Sequence, residues 1–238
     1  MTKLIVLSEE RPFAQGGNRL CFVHPENPNL CIKVRRPDFS LADRRRKKGF
    51  PKNLKPLSSF DDNQEEWRVM QSFEKHLDAD AFKLLSRCYG FVETDMGLGL
   101  VSDLIRDDLG TISETLKKCI WDNGINEDIS TAVKSFAEQW QRYSIPSRDL
   151  LLHNIVVQKH EGKIKRLVVI DGLGSAGIVP FYWLTTKSLA NKARRKTANL
   201  YERIDALLDQ RGQDKFPGYH GLLLHTGHTD SSNNGGAH

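Results

Sequence analysis

The chain has 238 residues, of which 39% are hydrophobic and 27% charged, the ordinary composition of a soluble globular protein with one large domain or two modest ones. The formal net charge is +5, and two basic runs at 44–48 and 192–196 can meet nucleic acid, phosphate or acidic membrane, although we interpret both as solvated surface. The four cysteines form no C-x-x-C pair, which disfavours a zinc site and suits a reducing compartment.

The first part of the chain is predicted to be rich in β-strands. It opens with MTKLIVLSEE, whose four consecutive apolar residues are too few for a signal peptide or a membrane span, so we expect a cytoplasmic protein. Strands are predicted at 5–7, 20–23 and 30–34, separated by glycine- and proline-containing turns. Residues 35–58 are basic and contain proline, and we expect an irregular excursion there.

A helix is predicted to follow, opened by a capping box formed by Asp62 and Glu65. Glu66 falls on the same side of this helix as its apolar residues, and a carboxylate on a packed face requires a cation from another element. In the third predicted strand, Lys33 shares a face with Cys31. A Lys33–Glu66 ion pair would satisfy both groups and aim the ammonium at a phosphate.

The second part of the chain is predicted to be mainly helical. A glycine-broken strand pair over 91–105 precedes it, and apolar residues at helical spacing between 129 and 143 indicate a helix that stops before Pro146. A last long helix is predicted over about 184–208. Strands followed by helices indicate an α+β protein in two lobes.

A predicted hairpin within the helical part assembles polar side chains. Its strands are 155–157 and 164–170, so Asn154 enters the first strand and Asp171 leaves the second. Antiparallel pairing would bring these two residues together, with Asp149 on the turn just before them. Oxygen-bearing side chains in such a set suit Mg²⁺. Taken alone, however, D-x-x-x-x-N is also typical of an aspartate turn and an asparagine cap.

Glycines near the start of the chain offer a second candidate contact with phosphate. Gly16 and Gly17 join two predicted strands, and backbone N–H groups can approach phosphate oxygens closely where a side chain is absent. Arg19 could add a charged contact. A lone Gly-Gly turn is more often only a hairpin turn.

In chain order, these features resemble the protein-kinase signature of a glycine loop, a strand lysine, a helix glutamate, R-D-x-x-x-x-N and D-G-x-G. More narrowly, the chain resembles the YrbL family of PhoP regulatory network proteins, through GGNRLCFVHPENPNLCIKV, GFVETDMGLGLVSDLIRDDLG and RDLLLHNIVV. The resemblance implies a two-lobed protein-kinase-like fold. We expect a β-rich N-lobe at 1–105, a reduced helical C-lobe at 106–224 and a disordered tail at 225–238.

The resemblance also implies an ATP- and Mg²⁺-dependent phosphotransferase. Lys33, held by Glu66, would contact the α- and β-phosphates, and Asp149 would receive the proton of the acceptor hydroxyl. Asn154 and Asp171 would hold Mg²⁺. The residues implied to surround the nucleotide are Gly16, Gly17, Arg19, Cys31, Lys33 and Glu66, with the connecting hinge at 101–105.

Departures from the signature keep an alternative open. Ser147 replaces the usual histidine, the glycine loop lacks its third glycine, Gly172 stands where phenylalanine is common, and no A-P-E motif follows. A catalytically weak or inactive nucleotide-binding regulator is therefore the second hypothesis. A nucleic-acid binder is the third, disfavoured because zinc, RRM and KH signatures are missing. The phosphate acceptor, a small molecule or a protein, is left open.

Overall fold

The computed structural model describes residues 4–54, 56–174 and 181–227. Its main sheet has five antiparallel strands in the order β1-β2-β3-β5-β4. These strands are β1 (Ala14–Gln15), β2 (Arg19–His24), β3 (Asn27–Arg35), β4 (Cys88–Thr94) and β5 (Gly97–Asp103). All five lie before residue 105, where the sequence places the end of the N-lobe.

The predicted strands at 20–23 and 30–34 and the pair within 91–105 are confirmed. The predicted strand at 5–7 is not: among the described residues it contributes an isolated bridge between Ile5 and Thr94 rather than a named strand. Strand β3 lies in the middle of the sheet, with Ile32 and Val34 fully buried. Cys31 and Lys33, on the opposite face, are buried as well, and burial on both faces suits a central strand.

Two helices follow β3. The expectation of an irregular 35–58 excursion is wrong in part, because α1 (Leu41–Lys48) contains the basic run 44–48, with Ser40 accepting the N–H of Asp43 as its cap. Helix α2 (Asp62–His76) begins one residue differently from the prediction. Its cap is Asp61, whose side chain accepts the N–H groups of Asn63 and Gln64. Aspartate at this position satisfies donors that have no partner inside the helix.

The C-lobe packs helices around the predicted β-hairpin. Its elements are α3 (Leu116–Asn123), α4 (Glu127–Arg142), β6 (Ile155–His160), β7 (Lys163–Val169) and α5 (Thr186–Gln210). The hairpin closes through Glu161 and Gly162, both at positive φ, which matches the right-handed twist of the strands it joins. The largest core cluster joins these elements to α2 and β5. The chain is therefore an α+β protein in two lobes.

The chain leaves α5 and returns to both lobes. We call residues 217–227 the C-terminal strap, because they run along the opening between the lobes. The predicted tail at 225–238 starts within the strap, and its remainder, 228–238, lies outside the described residues. In the part of the chain that the structure describes, no helix is both long and apolar enough to cross a membrane.

Candidate functional site

A cavity of about 260 Å³ lies between the five-stranded sheet and the β6–β7 hairpin. Lys33 and Cys31 reach it from β3, while Asn154 and Asp171 reach it from the two ends of the hairpin. The predicted residues that line this cavity are Gly16, Gly17, Arg19, Cys31, Lys33, Asn154 and Asp171. The structure thus brings together groups that are separated by up to about 150 positions in the chain.

Lys33 is fixed from three directions. Its Nζ lies 2.6 Å from Glu66 Oε1 on α2, which is the ion pair predicted from the sequence. Nζ also donates to the carbonyl of Ile170 at 3.0 Å, and Asn63 Nδ2 donates to the Lys33 carbonyl at 2.7 Å. Burial works against the charged form, but the Glu66 carboxylate outweighs it and raises the pKa of Lys33. Lys33 is therefore a permanently charged ammonium at the cavity wall.

Arg19, the first residue of β2, connects the two lobes. Its guanidinium pairs with Glu66 and also with Asp171, where Nη2 lies 2.5 Å from Oδ2. The same guanidinium donates to Asn63 Oδ1 at 3.2 Å. The sequence predicted a phosphate contact for Arg19, and in the structure the side chain instead holds two carboxylates of the site. A signal was present, because alternation in β2 puts Arg19 on the same face as Cys21, which is paired with Lys33.

Asn154 and Asp171 meet where the hairpin strands begin and end, as predicted. The Ile170 N–H donates to the Asn154 carbonyl at 2.9 Å, and Asp171 Oδ1 accepts the N–H of Gly172 at 2.6 Å. Burial alone raises the pKa of Asp171, but Arg19 and Lys33 outweigh it and leave that pKa at about 2. Gly172 is at φ 79°, and a Cβ there would lie 3.0 Å from Asn154 Nδ2. Glycine at 172 therefore allows the two polar ends to approach.

Asp149 is the one predicted catalytic group that faces away from the cavity lining. Its Oδ2 lies 2.7 Å from Arg203 Nη2 and its Oδ1 3.6 Å from Lys196 Nζ, both from α5. Neither partner was predicted, because α5 was identified by its apolar residues and its basic residues were interpreted as solvated surface. Lys196 belongs to the basic run 192–196, so part of that run contacts Asp149 and is not only solvated surface. Next to Asp149, Arg148 forms an ion pair with Glu65 of α2.

The donors at the hairpin fit a hard cation that also leans on phosphate. Asn154 and Asp171 offer an amide oxygen and a carboxylate, and Mg²⁺ commonly uses one or two protein oxygens together with substrate phosphates and water. The described residues contain no cluster of three or more His, Cys, Asp or Glu side chains that could hold a metal. A cation here would therefore depend on phosphate oxygens, and it would compete with Arg19 for Asp171.

The far end of the cavity is apolar. Cys21 and Cys31 line it from the sheet, Val156 and Ile170 from the hairpin, and Leu104 from the segment that connects the lobes. Burial raises the pKa of the Cys21 thiol to about 12, and it also raises that of Cys31. These thiols are neutral wall groups and not nucleophiles. A flat, uncharged ring system suits this end, whereas the charged end suits phosphate.

His153 and the C-terminal strap also line the cavity, and neither was predicted to belong to the site. His153 precedes Asn154, and its ring stacks on that of His220 with centroids 5.1 Å apart. Burial, together with His220 and Lys117, lowers the pKa of His153 to about 4, despite the opposing effect of Asp171. His220, Gly221, Leu222 and Leu223 line the cavity from the strap. The short apolar run at 222–224 was the available signal.

Comparison with known proteins finds one matching family model and two curated relatives. A family model described as "PhoP regulatory network protein YrbL" matches residues 5–205. Two curated relatives, from Escherichia coli (strain K12) and Shigella flexneri, are both named "Uncharacterized protein YrbL". Each is 28% identical over 183 residues, which cover 74% of this chain and 77% of the relative.

One solved structure in the comparison is that of Rad53 residues 1–466 in complex with AMP-PNP. It matches at a TM-score of 0.47 and 12% identity, over 85% of this chain and 47% of the Rad53 chain. The chain thus spans about half the length of that protein. The kinase-like arrangement is visible in the chain itself: a lysine on β3 pairs with a glutamate on α2, and the lysine lines the same cavity as the asparagine and aspartate of the hairpin.

Proposed function

The chain belongs to the PhoP regulatory network protein YrbL family, and on that premise we propose that it is an ATP- and Mg²⁺-dependent phosphotransferase. One observation carries the proposal: a fixed ammonium from the sheet and an amide–carboxylate pair from the hairpin face the same cavity. The apolar end of that cavity suits adenine and the charged end suits the triphosphate. A cleft between lobes is also a common location for ligand sites.

In this proposal, Lys33 contacts the α- and β-phosphates. The ammonium is already oriented by Glu66 Oε1 at 2.6 Å and by the Ile170 carbonyl at 3.0 Å, so little ordering is left for nucleotide binding to supply. Gly16 donates its own N–H to the Arg19 carbonyl at 2.8 Å, which fixes the loop above the phosphates. Phosphoryl transfer relies mainly on such positioning and charge stabilisation.

Asn154 and Asp171 would hold Mg²⁺, which supplies positive charge to the phosphate oxygens when bound. The aspartate is ionised throughout the physiological range because its pKa is about 2. With Mg²⁺ on the carboxylate, Arg19 would lose one partner and would keep Glu66 and Asn63. Arg19 is then free to turn one N–H group towards phosphate, which is the contact that the sequence suggested.

Asp149 receives the proton of the acceptor hydroxyl in this proposal. Arg203 and Lys196 contact both of its oxygens, so the carboxylate is held in one orientation. A well-placed proton acceptor contributes about 10²–10⁴-fold to the rate. The Asp149→Ala variant should therefore bind nucleotide like the wild type while ATP hydrolysis falls by roughly that factor. Normal turnover by the variant would show that Asp149 does not have this role.

A thermal-shift titration with ATP and Mg²⁺, each alone and together, tests nucleotide binding. A ligand that binds only the native state stabilises it by about 2.7 kcal/mol at 100 times its Kd. We expect the two ligands together to stabilise the chain more than either alone. Asp171→Asn should remove the Mg²⁺-dependent part, and a protein that no combination of ligands stabilises would refute the proposal.

A second candidate is a kinase-like nucleotide-binding regulator without turnover. Two contacts favour it: Arg19 holds the metal-binding carboxylate of Asp171, and Arg203 and Lys196 hold that of Asp149. Both acidic groups are thus engaged within the protein. Measuring ATP hydrolysis by the pure protein separates the two candidates, because a regulator would bind ATP and Mg²⁺ without releasing phosphate above background.

A further inference from the structure

We propose that the C-terminal strap forms the outer wall of the nucleotide pocket and slows nucleotide release. This inference rests on the nucleotide binding proposed above and goes beyond it, because the strap lies outside every motif of the kinase signature. The strap is residues 217–227, and it begins seven positions after Gln210, the last residue of α5. Its contacts, its side-chain pattern and the cavity behind it support this role.

The strap is anchored to the N-lobe by backbone pairing. The Leu224 N–H donates to the Phe13 carbonyl at 2.7 Å, and Arg11 Nη2 donates to the Leu224 carbonyl at 3.2 Å. His225 Nε2 lies 3.1 Å from the Arg11 carbonyl, and its ring packs edge-on against Phe13. The strap thus runs beside residues 11–13, directly before β1 and the glycine turn.

The C-lobe holds the same segment from the other side. Thr115 Oγ1 donates to the Gly221 carbonyl at 2.8 Å, and Lys117 Nζ donates to the carbonyls of His220, at 3.2 Å, and of Pro217. The Ile112 N–H donates to the Thr226 carbonyl at 3.0 Å. A segment of eleven residues therefore connects both lobes across the opening of the cavity.

The sequence of the strap matches this placement. Exposure alternates from 221 to 227: Leu222, Leu224 and Thr226 are exposed, and the residues between them are partly buried. Gly221, one of the inward positions, is at φ 99°, and a Cβ there would lie 3.2 Å from His153 Cβ and from Thr115 Oγ1. Period-two alternation with glycine at the close approach is typical of a docked extended segment.

The strap walls the cavity and does not fill it. About 260 Å³ remains open between Leu223 on the strap and Lys33 on the opposite side. Leu223 packs against the cluster formed by Phe13, Cys31, Leu104 and Ile112, at the apolar end where adenine would lie. His220, stacked on His153, lies at the charged end.

Two consequences follow for a bound nucleotide. Ligand pockets usually enclose about 300–1,000 Å³, so a nucleotide would use all of this cavity and contact the strap directly. Because the strap bridges the lobes across the opening, the nucleotide must displace it to leave. The strap therefore adds apolar contact to the base and acts as a barrier to dissociation.

A matched pair of truncations tests the proposal on the otherwise complete chain. One variant ends after Phe216 and lacks the strap, and the other ends after Gly227 and keeps it. A point variant, Gly221→Val, places a side chain against His153 and Thr115 and so dislodges the strap without shortening the chain. Leu224→Ala alters an exposed strap side chain and serves as its control.

Binding of a fluorescent ATP analogue in the presence of Mg²⁺ is measured at equilibrium and, after mixing with excess ATP, by its dissociation rate. We expect the truncation after Phe216 and Gly221→Val to weaken binding on the order of tenfold, mainly through faster dissociation, because a leucine-sized apolar contact is lost. The truncation after Gly227 and Leu224→Ala should match the wild type.

The outcomes separate the two proposals. Equal or tighter binding after loss of the strap would overturn the wall role, because a plug or a bystander behaves in that way. A wild-type chain that binds no analogue would overturn the nucleotide-binding proposal itself and the strap inference with it. If the shorter truncation does not fold by circular dichroism, the comparison of Gly221→Val with Leu224→Ala decides.

Discussion

Glu66 neutralises two buried cations with one carboxylate. Lys33 takes Oε1 and Arg19 takes Oε2, and the side chains of all three residues are between 7% and 11% exposed. Removing one partner from a buried ion pair leaves an uncompensated charge, which costs far more than the net value of the pair. Glu65, the preceding residue on the same helix, pairs with Arg148 where both side chains are about one-third exposed.

The first prediction compares these neighbouring carboxylates. Glu66→Gln should lower the free energy of unfolding on the order of 3–5 kcal/mol, because Lys33 and Arg19 lose their shared counter-charge. Glu65→Gln should cost only about 0–1 kcal/mol, because water screens its pair. Urea denaturation of both variants checks the difference. Similar costs would mean that the network around Glu66 is well solvated.

The second prediction concerns Arg19 and the metal. Its guanidinium lies 2.5 Å from the carboxylate oxygen of Asp171, so it competes with a cation for that oxygen. In Arg19→Ala, the Mg²⁺ concentration that gives half-maximal binding of an ATP analogue should fall about tenfold, or ~1.4 kcal/mol. Arg44→Ala, which removes an ion pair with Asp62 away from the cavity, is the control. An unchanged Mg²⁺ requirement would show that Arg19 does not restrict the metal.

Single side chains were predicted from the sequence where a period fixed their direction. Strand alternation placed Lys33 beside Cys31, and helical spacing placed Glu66 on the packed face, so their ion pair followed from two local patterns. Arg19 was identified as a site residue, but its partners are carboxylates more than 40 positions away. Local sequence patterns cannot pair residues that are so far apart in the chain. The charge of Arg19 alone suits phosphate and carboxylate equally well.

At the scale of the secondary-structure elements, strand β3 carries Lys33, so its position in the sheet sets the position of the ammonium. Strand β5 pairs with β3, and Gly99 lies where a side chain would overlap Ile32 Cγ2 and approach Val34 Cγ1 to 3.3 Å. These β-branched side chains are stiff and fully buried. Glycine at 99 is therefore what lets β3 lie in its position.

The third prediction follows from this contact. Gly99→Ala should cost about 1–3 kcal/mol of unfolding free energy through overpacking. It should also weaken nucleotide binding, because β3 must shift and Lys33 shifts with it. Leu98→Ala, at the exposed neighbouring position, should change stability by no more than about 0.5 kcal/mol. Thermal denaturation and analogue titration of both variants measure the two effects, and an unaffected Gly99→Ala would show that the sheet relaxes freely.

Elements with an apolar pattern were predicted, and α1, which has none, was not. The hairpin, the strand pair within 91–105, and the helices α2, α4 and α5 follow from apolar repeats. Helix α1 has no buried residue and therefore no apolar stripe, so its sequence reads as a charged loop. Its order comes from Ser40 at its start and from the Arg44 ion pair with Asp62. The choice of Asp61 over Asp62 as the α2 cap depends on backbone angles that composition does not reveal.

At the scale of the molecule, side-chain contacts at the cavity and beside it join the two lobes. Arg19 reaches Asp171, Lys33 reaches the Ile170 carbonyl, and Arg148 reaches Glu65. The strap adds two hydrogen bonds between positions about 210 apart, one between backbones and one from the Arg11 side chain. A composition rich in small polar residues led to the expectation of a disordered tail from 225. That expectation could not include the strap, because its partners lie far away in the sequence, from Arg11 and Phe13 to Lys117 and His153.

The last prediction concerns the effect of pH on His153, whose ring stacks on that of His220 in the strap. His153 faces the His220 ring, the Lys117 ammonium and the Asp171 carboxylate, and its pKa is about 4. The usual value is about 6.5, so the unfolded chain binds a proton that the folded chain refuses between these two values. Stability should therefore be constant above about pH 6.5 and should fall as the pH is lowered towards 4. Asp171 stays ionised in this window, because its pKa is about 2.

His153→Phe keeps an aromatic ring against His220 and removes the titration. Its unfolding free energy should decline less between pH 6.5 and 4 than that of the wild type, whereas His160→Gln, at an exposed strand end, should follow the wild type. Parallel pH profiles for wild type and His153→Phe would mean that other groups carry the acid sensitivity.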